Sequence, residues 1–341
     1  MTISVLAIDL AKHIFQLHGV DRSEAVVLRK RLKRNQLLAF VRSLPPCTIA
    51  MEACSSAHFW GRAFARLGHT VKLLPPQYVK PYVKTNKHDA ADAEAIAEAA
   101  TRPSMRPVAV KSQEQQDLQT LHRGRERVIK TKTMLLNSLR GLCAEYGIIT
   151  PKGSSWLTRD LARTRQQLEA VNSPVLSLLF ERSLAEFHRI EEDEQFYTAQ
   201  LERIATTHPV AVRLMQIPGV GLLSATAALA VVPAPQEFKN GRHFAAFLGL
   251  VPRQHSSGGK AKLLGISKRG NSYLRRILVS GAQSILRWSP RRTDAIGRWV
   301  TALRQKKPWN VVAVALANKN ARVIWHLLRY DVDYCPQATV A

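Results

Sequence analysis

The spacing of apolar positions changes character along the chain. Residues 4–10, 14–20 and 26–32 are short apolar or alternating runs, which predict three strands, the first two joined as a hairpin. A helical period follows over 36–44 and stops at Pro45 and Pro46. Next come a strand at 48–52, a helix at 56–67 closed by Gly68, and a strand at 70–74. Beyond a proline-punctuated loop, an Ala- and Glu-rich helix is predicted over about 89–100.

From residue 113 the period becomes that of long helices. Leu118, Leu121, Arg125, Val128, Lys132, Leu135, Leu139, Leu142 and Tyr146 alternate steps of three and four, as do Phe187, Ile190, Glu194, Tyr197, Leu201 and Ile204. Both are coiled-coil seams with polar insertions able to fix register. A hairpin within one chain satisfies them as well as a coil between chains. From Pro209 the pattern is mostly helical, with Trp288, Trp299, Trp309 and Trp325 as core residues or base-stacking platforms. The order ββ(β)αβαβα of the first segment is that of an RNase H-like domain. The expected fold is α/β plus α: an RNase H-like domain over 1–112, a helical coiled-coil connector over 113–206 and a mainly helical domain over 207–341.

Composition sharpens this division. The 341 residues suggest two or three domains, and at 46% hydrophobic and 22% charged the chain can bury real cores, unlike a disordered basic tail. The formal charge of +25 points to a polyanion, either nucleic acid or an anionic membrane surface. The excess is uneven: net +9 over 1–112, zero over 113–206 and +16 over 207–341. Between Glu237 and Asp294 there are 12 basic side chains and no acidic one, so phosphate contact is expected there. No run of 18 apolar residues is present, and the N-terminus, with Asp9 in its apolar stretch and no basic region ahead of it, does not read as a secretory signal. A cytoplasmic protein without a membrane partner is expected. Cys47, Cys54, Cys143 and Cys335 lack zinc or C-x-x-C spacing and read as reduced thiols.

Four carboxylates stand out in the first segment. Asp9 interrupts an apolar strand, where burying an unpaired charge is costly. Glu52 ends the strand that the RNase H-like order places beside it, and Asp89 and Asp92 share one face at the start of a helix. Capping and the helix dipole account for the last pair equally well when it is taken alone. In an RNase H-like core, however, all four converge on one point, where clustered carboxylates need hard cations such as Mg²⁺ or Mn²⁺. Lys87 and His88 are candidate phosphate contacts or members of a solvated loop.

The basic segment carries a second set. In QIPGVGLLSATAALA, Gly219 and Gly221 precede an apolar helix, as in a helix-hairpin-helix whose backbone N–H groups meet a DNA phosphate, or as in an ordinary turn. Further on, Ser256 and Ser257 lead into Gly258, Gly259 and Lys260, with Arg253, Lys262, Lys268, Arg269, Arg275 and Arg276 around them. A Ser-Ser-Gly-Gly tract is commonly a flexible loop, but dense cations also suit a serine that attacks a phosphodiester. His255 is a candidate base.

Taken together, AIDLAK, AMEA, NKHDAADAEAIA, IPGVG, GLVPRQHSSGGK and ISKRGNSYLR occur in an order that resembles the DEDD-type transposases of the insertion sequence 110 (one-ten) family, also called bridge recombinases and related to Piv-type DNA invertases. The resemblance implies a RuvC-like domain, a coiled-coil connector and a C-terminal transposase domain. It implies that Asp9, Glu52, Asp89 and Asp92 bind Mg²⁺ and that Ser257, or Ser256 one position earlier, forms a phosphoserine link to DNA. It further implies donor and target DNA, a noncoding bridge RNA and homodimers assembling into tetramers as partners, and a bacterial-type protein at the nucleoid when bound to DNA. Two rivals are a hydrolytic RuvC-like Holliday junction nuclease that leaves Ser257 idle and a nucleic-acid-binding regulator with a degenerate fold.

Overall fold

The computed structural model describes residues 2–83, 89–232, 234–258, 260 and 262–336, with residue 89 described by its backbone alone. The chain forms two compact units, 1–115 and 116–341.

The first unit is built on a mixed five-stranded sheet. β1 (Val5–Asp9), β2 (Ile14–Val20), β3 (Val26–Lys33), β4 (Thr48–Glu52) and β5 (Thr70–Leu74) lie in the order β3-β2-β1-β4-β5. β1 pairs antiparallel with β2, Asp9 opposite Gln16, and parallel with β4, Ile8 opposite Met51. Helices α1 (Arg34–Arg42), α2 (Ala57–Arg66), α3 (Pro76–Val79) and α4 (Asp89–Thr101) connect and follow the strands.

Strand alternation creates two cores. Leu6, Ile8, Ile49 and Met51 face one side, with Phe15 of β2, Leu37 and Val41 of α1, and Trp60 and Phe64 of α2. Val5, Ala7, Ala50 and Leu74 face the other, against Ala95, Ile96, Ala99 and Ala100 of α4. Each fully buried Leu, Ile or Phe contributes about 2 kcal/mol by leaving water. The alanines on α4 and on the strands beneath it have a positional effect as well. Small side chains on both surfaces let helix and sheet approach closely, which fixes where the first turn of α4 lies.

In the second unit, α5 (Gln113–Glu145) and α8 (Pro174–Thr207) are the long helices, joined through α6 (Trp156–Arg159) and α7 (Leu161–Val171). Asn172 in the left-handed region ends α7, and Ser173 caps α8, accepting the Leu176 N–H at 3.3 Å. The two seams meet within one chain. Leu136, Leu139 and Cys143 pack with Phe180, Leu184 and Phe187, and the polar insertions pair as Arg125 with Glu194 at 3.3 Å and Lys132 with Glu191 at 3.0 Å. Near its end α5 buries Leu136 and Cys143 where the heptad count puts Leu135 and Leu142, because 3.6 residues per turn drifts from a 3.5 repeat.

The rest of this unit is α9 (Pro209–Met215), α10 (Leu222–Val231), α11 (Gly241–Phe247), a β-hairpin of β6 (Pro252–Gln254) and β7 (Leu263–Ile266), α12 (Ser272–Trp288), α13 (Ala295–Arg304) and α14 (Trp309–Tyr330). Its core centres on Val312, Leu316 and Ile324 of α14, with Leu274, Leu278 and Leu286 of α12, Phe244 of α11 and Leu214 of α9. Trp325 is core and donates its indole N–H to the Pro235 carbonyl at 2.9 Å. Trp288 is 56% exposed beneath the Arg291 guanidinium, while Trp299 and Trp309 are half-buried.

Candidate active site

Asp9 and Glu52 are the last residues of two hydrogen-bonded parallel strands. The register pairing Ile8 with Met51 makes them the next step on each strand, and alternation points both to the α4 face, with Ala7 and Ala50. Asp92 lies in the first turn of α4, which packs on β1, β2 and β4. Electrostatics links Glu52 to Asp92, and Cys54 to both Glu52 and Asp9. Burial pushes the Glu52 carboxyl up from its ordinary value, and the Asp92 charge pushes it further. The Cys54 thiol is raised first by desolvation, then by the charges of Glu52 and Asp9. Among the described residues no group of three or more His, Cys, Asp or Glu side chains is gathered tightly enough to hold a metal ion. Asp89 is the first residue of α4, and its side chain, like Lys87 and His88, lies outside the described residues. The oxygen-only donor set, with Glu52 burdened by a second carboxylate, fits a hard divalent cation better than a soft or redox metal.

In the second unit the serine tract forms the tip of the β6–β7 hairpin. Gln254 pairs opposite Leu263, the His255 N–H reaches the Lys262 carbonyl at 2.9 Å, and the Lys260 N–H closes on the Ser257 carbonyl at 3.1 Å. Gly258 sits at φ +55°, the left-handed region such a turn needs, while Gly259 lies outside the described residues. His255, Ser256 and Ser257 are exposed. The Gln254 side chain donates to Ser256 Oγ at 2.9 Å, whereas the Ser257 hydroxyl has no hydrogen-bond partner among the described residues. Arg253, Lys260, Lys262, Lys268 and Arg269 are exposed around it. Arg275 is turned inward and donates to the Leu248 and Arg269 carbonyls at 2.8 and 2.9 Å, while Arg276 pairs with Glu126 at 2.8 Å. Gly221 caps α10 in open space. Gly219, at φ +87°, is pressed between Ile285 and Asn320, and the Asn320 amide donates to the Pro218 carbonyl at 2.9 Å.

Family models match both units. Residues 6–148 match one described as a transposase with a DEDD domain, and residues 211–296 match the "Transposase IS116/IS110/IS902 family". A "Probable family 20 transposase" of Pseudomonas aeruginosa is 48% identical over 98% of this chain and all of its own length. The chain belongs to the IS110 family of transposases. The "Transposase for insertion sequence element IS1111A" of Coxiella burnetii is 42% identical over 97% of the chain and 91% of its own length. The "Transposase for insertion sequence element IS1328" of Yersinia enterocolitica is 38% identical over 95% and 96%. The protein is thus an enzyme of DNA cleavage and rejoining that binds DNA, and its DEDD domain implies a divalent metal. No helix among the described residues is long and apolar enough to cross a membrane.

The transposase holds one buried polar network that motif reading did not single out. His122 of α5 is 3% exposed, with Nδ1 2.8 Å from the Tyr273 hydroxyl of α12 and Nε2 3.0 Å from Thr226 Oγ1 of α10. Thr226 commits its own proton to the Leu222 carbonyl at 2.7 Å, so its oxygen accepts from Nε2–H and Nδ1 accepts from Tyr273. That assigns a neutral imidazole. Burial, reinforced by the Arg125 charge, lowers its pKa to about 4, and burial pushes Tyr273 up to about 12. The network ties the connector helix α5 to α10 and to α12, the helix that follows the basic hairpin. The sequence carried one signal for it, a histidine four residues after Leu118 on an otherwise apolar face.

Proposed function

We propose that this transposase excises and integrates an insertion sequence by metal-assisted, serine-mediated strand exchange, with Ser257 as nucleophile and Asp9, Glu52, Asp89 and Asp92 as the metal-holding tetrad. The observation carrying the reading is the pair Asp9 and Glu52 at adjacent strand ends, with Glu52 held above its ordinary pKa by burial and by Asp92. Bound Mg²⁺ or Mn²⁺ would supply charge neutralisation at the phosphoryl oxygens and at the attacking and leaving oxygens. The remaining work falls to the chain. Ser257 Oγ forms a bond to phosphorus as a DNA P–O bond breaks, and the serine proton passes to solvent or His255 while the leaving oxygen takes one up. Exposed Arg253, Lys260, Lys262, Lys268 and Arg269 offset phosphate charge around the hairpin tip. A strand hydroxyl then attacks the phosphoserine and regenerates the serine, so no high-energy cofactor is consumed. The Ser257 hydroxyl, without a hydrogen-bond partner among the described residues, is favoured over the hydrogen-bonded Ser256.

The family resemblance extends the proposal to a bridge RNA that supplies sequence specificity and to dimers that assemble into tetramers, so that one subunit's tetrad serves another's serine. Suicide DNA substrates test the chemistry. A covalent adduct lost in Ser257→Ala and kept in Ser256→Ala is expected. Clean nicks without adduct would instead support the hydrolytic junction nuclease, and binding without strand cleavage the regulator. Sequencing copurified RNA against the DNA flanking the gene tests guidance.

A further inference from the structure

A cleft of about 760 Å³ lies in the first unit, lined among others by His13, Lys33, Arg34, Asn35, Phe59 and Trp60. Its place follows from the strand register. His13 and Ile14 lie just past Asp9 on the way into β2, Ile14 pairs with Lys33, and α2 begins a short turn after Glu52. The cleft therefore opens at the same end of the sheet as Asp9 and Glu52, on the α1–α2 face rather than the α4 face. Among the described residues lining it none is a carboxylate, whereas His13, Lys33 and Arg34 are all exposed there. One wall of the cleft is aromatic. Phe59 is 55% exposed and meets Trp60 edge-on at 5.2 Å, and Trp60 is 5% exposed with the Arg34 guanidinium 5.3 Å above its ring. The Trp60 indole N–H is buried and has no hydrogen-bond partner among the described residues.

We propose that this cleft receives one unpaired nucleotide of the DNA strand engaged at the carboxylates, its base stacked on Phe59 and its phosphate held by Lys33 and Arg34. The inference rests on the transposase's action on DNA and goes beyond the tetrad and the serine. The volume lies within the range of ligand pockets, and a nucleotide combines the two chemistries the cleft offers, a flat π-face and an anion. A base in a duplex is stacked on its neighbours, so only an extruded or single-stranded one can reach a concave aromatic wall. Turning the Arg34 guanidinium toward phosphate uncovers more of the Trp60 ring, a second aromatic surface beside Phe59. The cleft thus holds a strand apart from its partner beside the carboxylates without reading its sequence.

Cross-linking with the full chain in EDTA, where no strand is cut, tests this. The probe is a short oligothymidylate carrying 5-iododeoxyuridine, competed by unlabelled oligothymidylate, by an abasic oligomer of equal length and by oligouridylate. The expected adduct lies on the tryptic peptide spanning 43–62, and oligothymidylate displaces it about ten-fold better than the abasic strand, the scale of one base stacked on an aromatic ring. Phe59→Leu, which keeps apolar volume but removes the π-face, is expected to lower that adduct and the base-over-abasic preference. An adduct confined to peptides of the second unit, equal competition by the abasic strand, or full cross-linking of Phe59→Leu would overturn the proposal. Tighter competition by oligouridylate would overturn it by assigning the cleft to RNA. Because the readout needs no catalysis, these failures are separate from a failure of the tetrad or of Ser257.

Discussion

Lowering the pH from about 7 to about 5 is expected to cost the second unit about 2 kcal/mol through His122 alone. In the folded chain its imidazole is neutral, donating to Thr226 and accepting from Tyr273, and takes a proton only near pH 4, against 6.5 for the ordinary group. Between those values the unfolded chain holds a proton that the folded chain refuses, so stability falls as pH falls through that window and is regained as pH rises above 6.5. Desolvation is the main cause, because the network accommodates neutral imidazole and offers the cation no carboxylate in its hydrogen bonds. Five of the six tryptophans, all except Trp60, belong to the second unit, so tryptophan fluorescence during urea unfolding reports chiefly on it. The wild-type midpoint should drop on the order of 1 M urea over this pH span. His122→Gln keeps an amide donor for Thr226 but cannot titrate, and should lose most of that pH dependence while being less stable at neutral pH. An equal pH dependence in both proteins would refute the assignment of the buried neutral histidine.

Three further outcomes follow from the same geometry. Glu52→Gln removes a carboxylate whose charged form is disfavoured beside Asp92, so β1, β4 and α4 amides should exchange more slowly in the metal-free variant, and Mg²⁺ should protect the wild type but not the variant. Equal Mg²⁺ protection in both would remove Glu52 from the metal site. Gly281→Ala should destabilise by about 1–3 kcal/mol, measured by urea unfolding, because a Cβ there would collide with the Gly219 carbonyl oxygen. Helix propensity alone gives the opposite sign, a gain of about 1 kcal/mol. Neutralising Lys268 and Arg269 together should reduce the slope of log binding constant against log salt for DNA by about 2, and an unchanged slope would place phosphate contact elsewhere.

Much of the first unit was legible because its strands are short, apolar and bounded by turn residues. The expected strands at 14–20, 48–52 and 70–74 match β2, β4 and β5, and the helix expected from Asp89 starts there. The α/β-then-helical order and membership of the transposase family were legible too, since the motifs are contiguous. The long seams were visible, but whether they met within one chain was not, because heptad spacing describes a face and not its occupant. The serine tract read as a loop and forms a hairpin tip, since β6 is only three residues long and its pairing across the turn is not local to either strand. Arg275 and Arg276 counted with the other cations of the basic run. Folding gives the first to backbone carbonyls and the second to Glu126, 150 residues away.

The sequence by itself determined the period of each element, the residues with chemistry to offer, and the concentration of positive charge in the last segment. Those properties are local: they depend on neighbours three or four positions away, or on composition. The tertiary structure decided which side chains share an environment. Parallel pairing of β1 and β4 put Asp9 beside Glu52, close packing of alanine-rich α4 brought the Asp92 charge to bear on Glu52, and three distant helices enclosed His122 so that it stays neutral. Desolvation and Coulomb coupling depend on distances through space, and those distances exist only once the cores have closed.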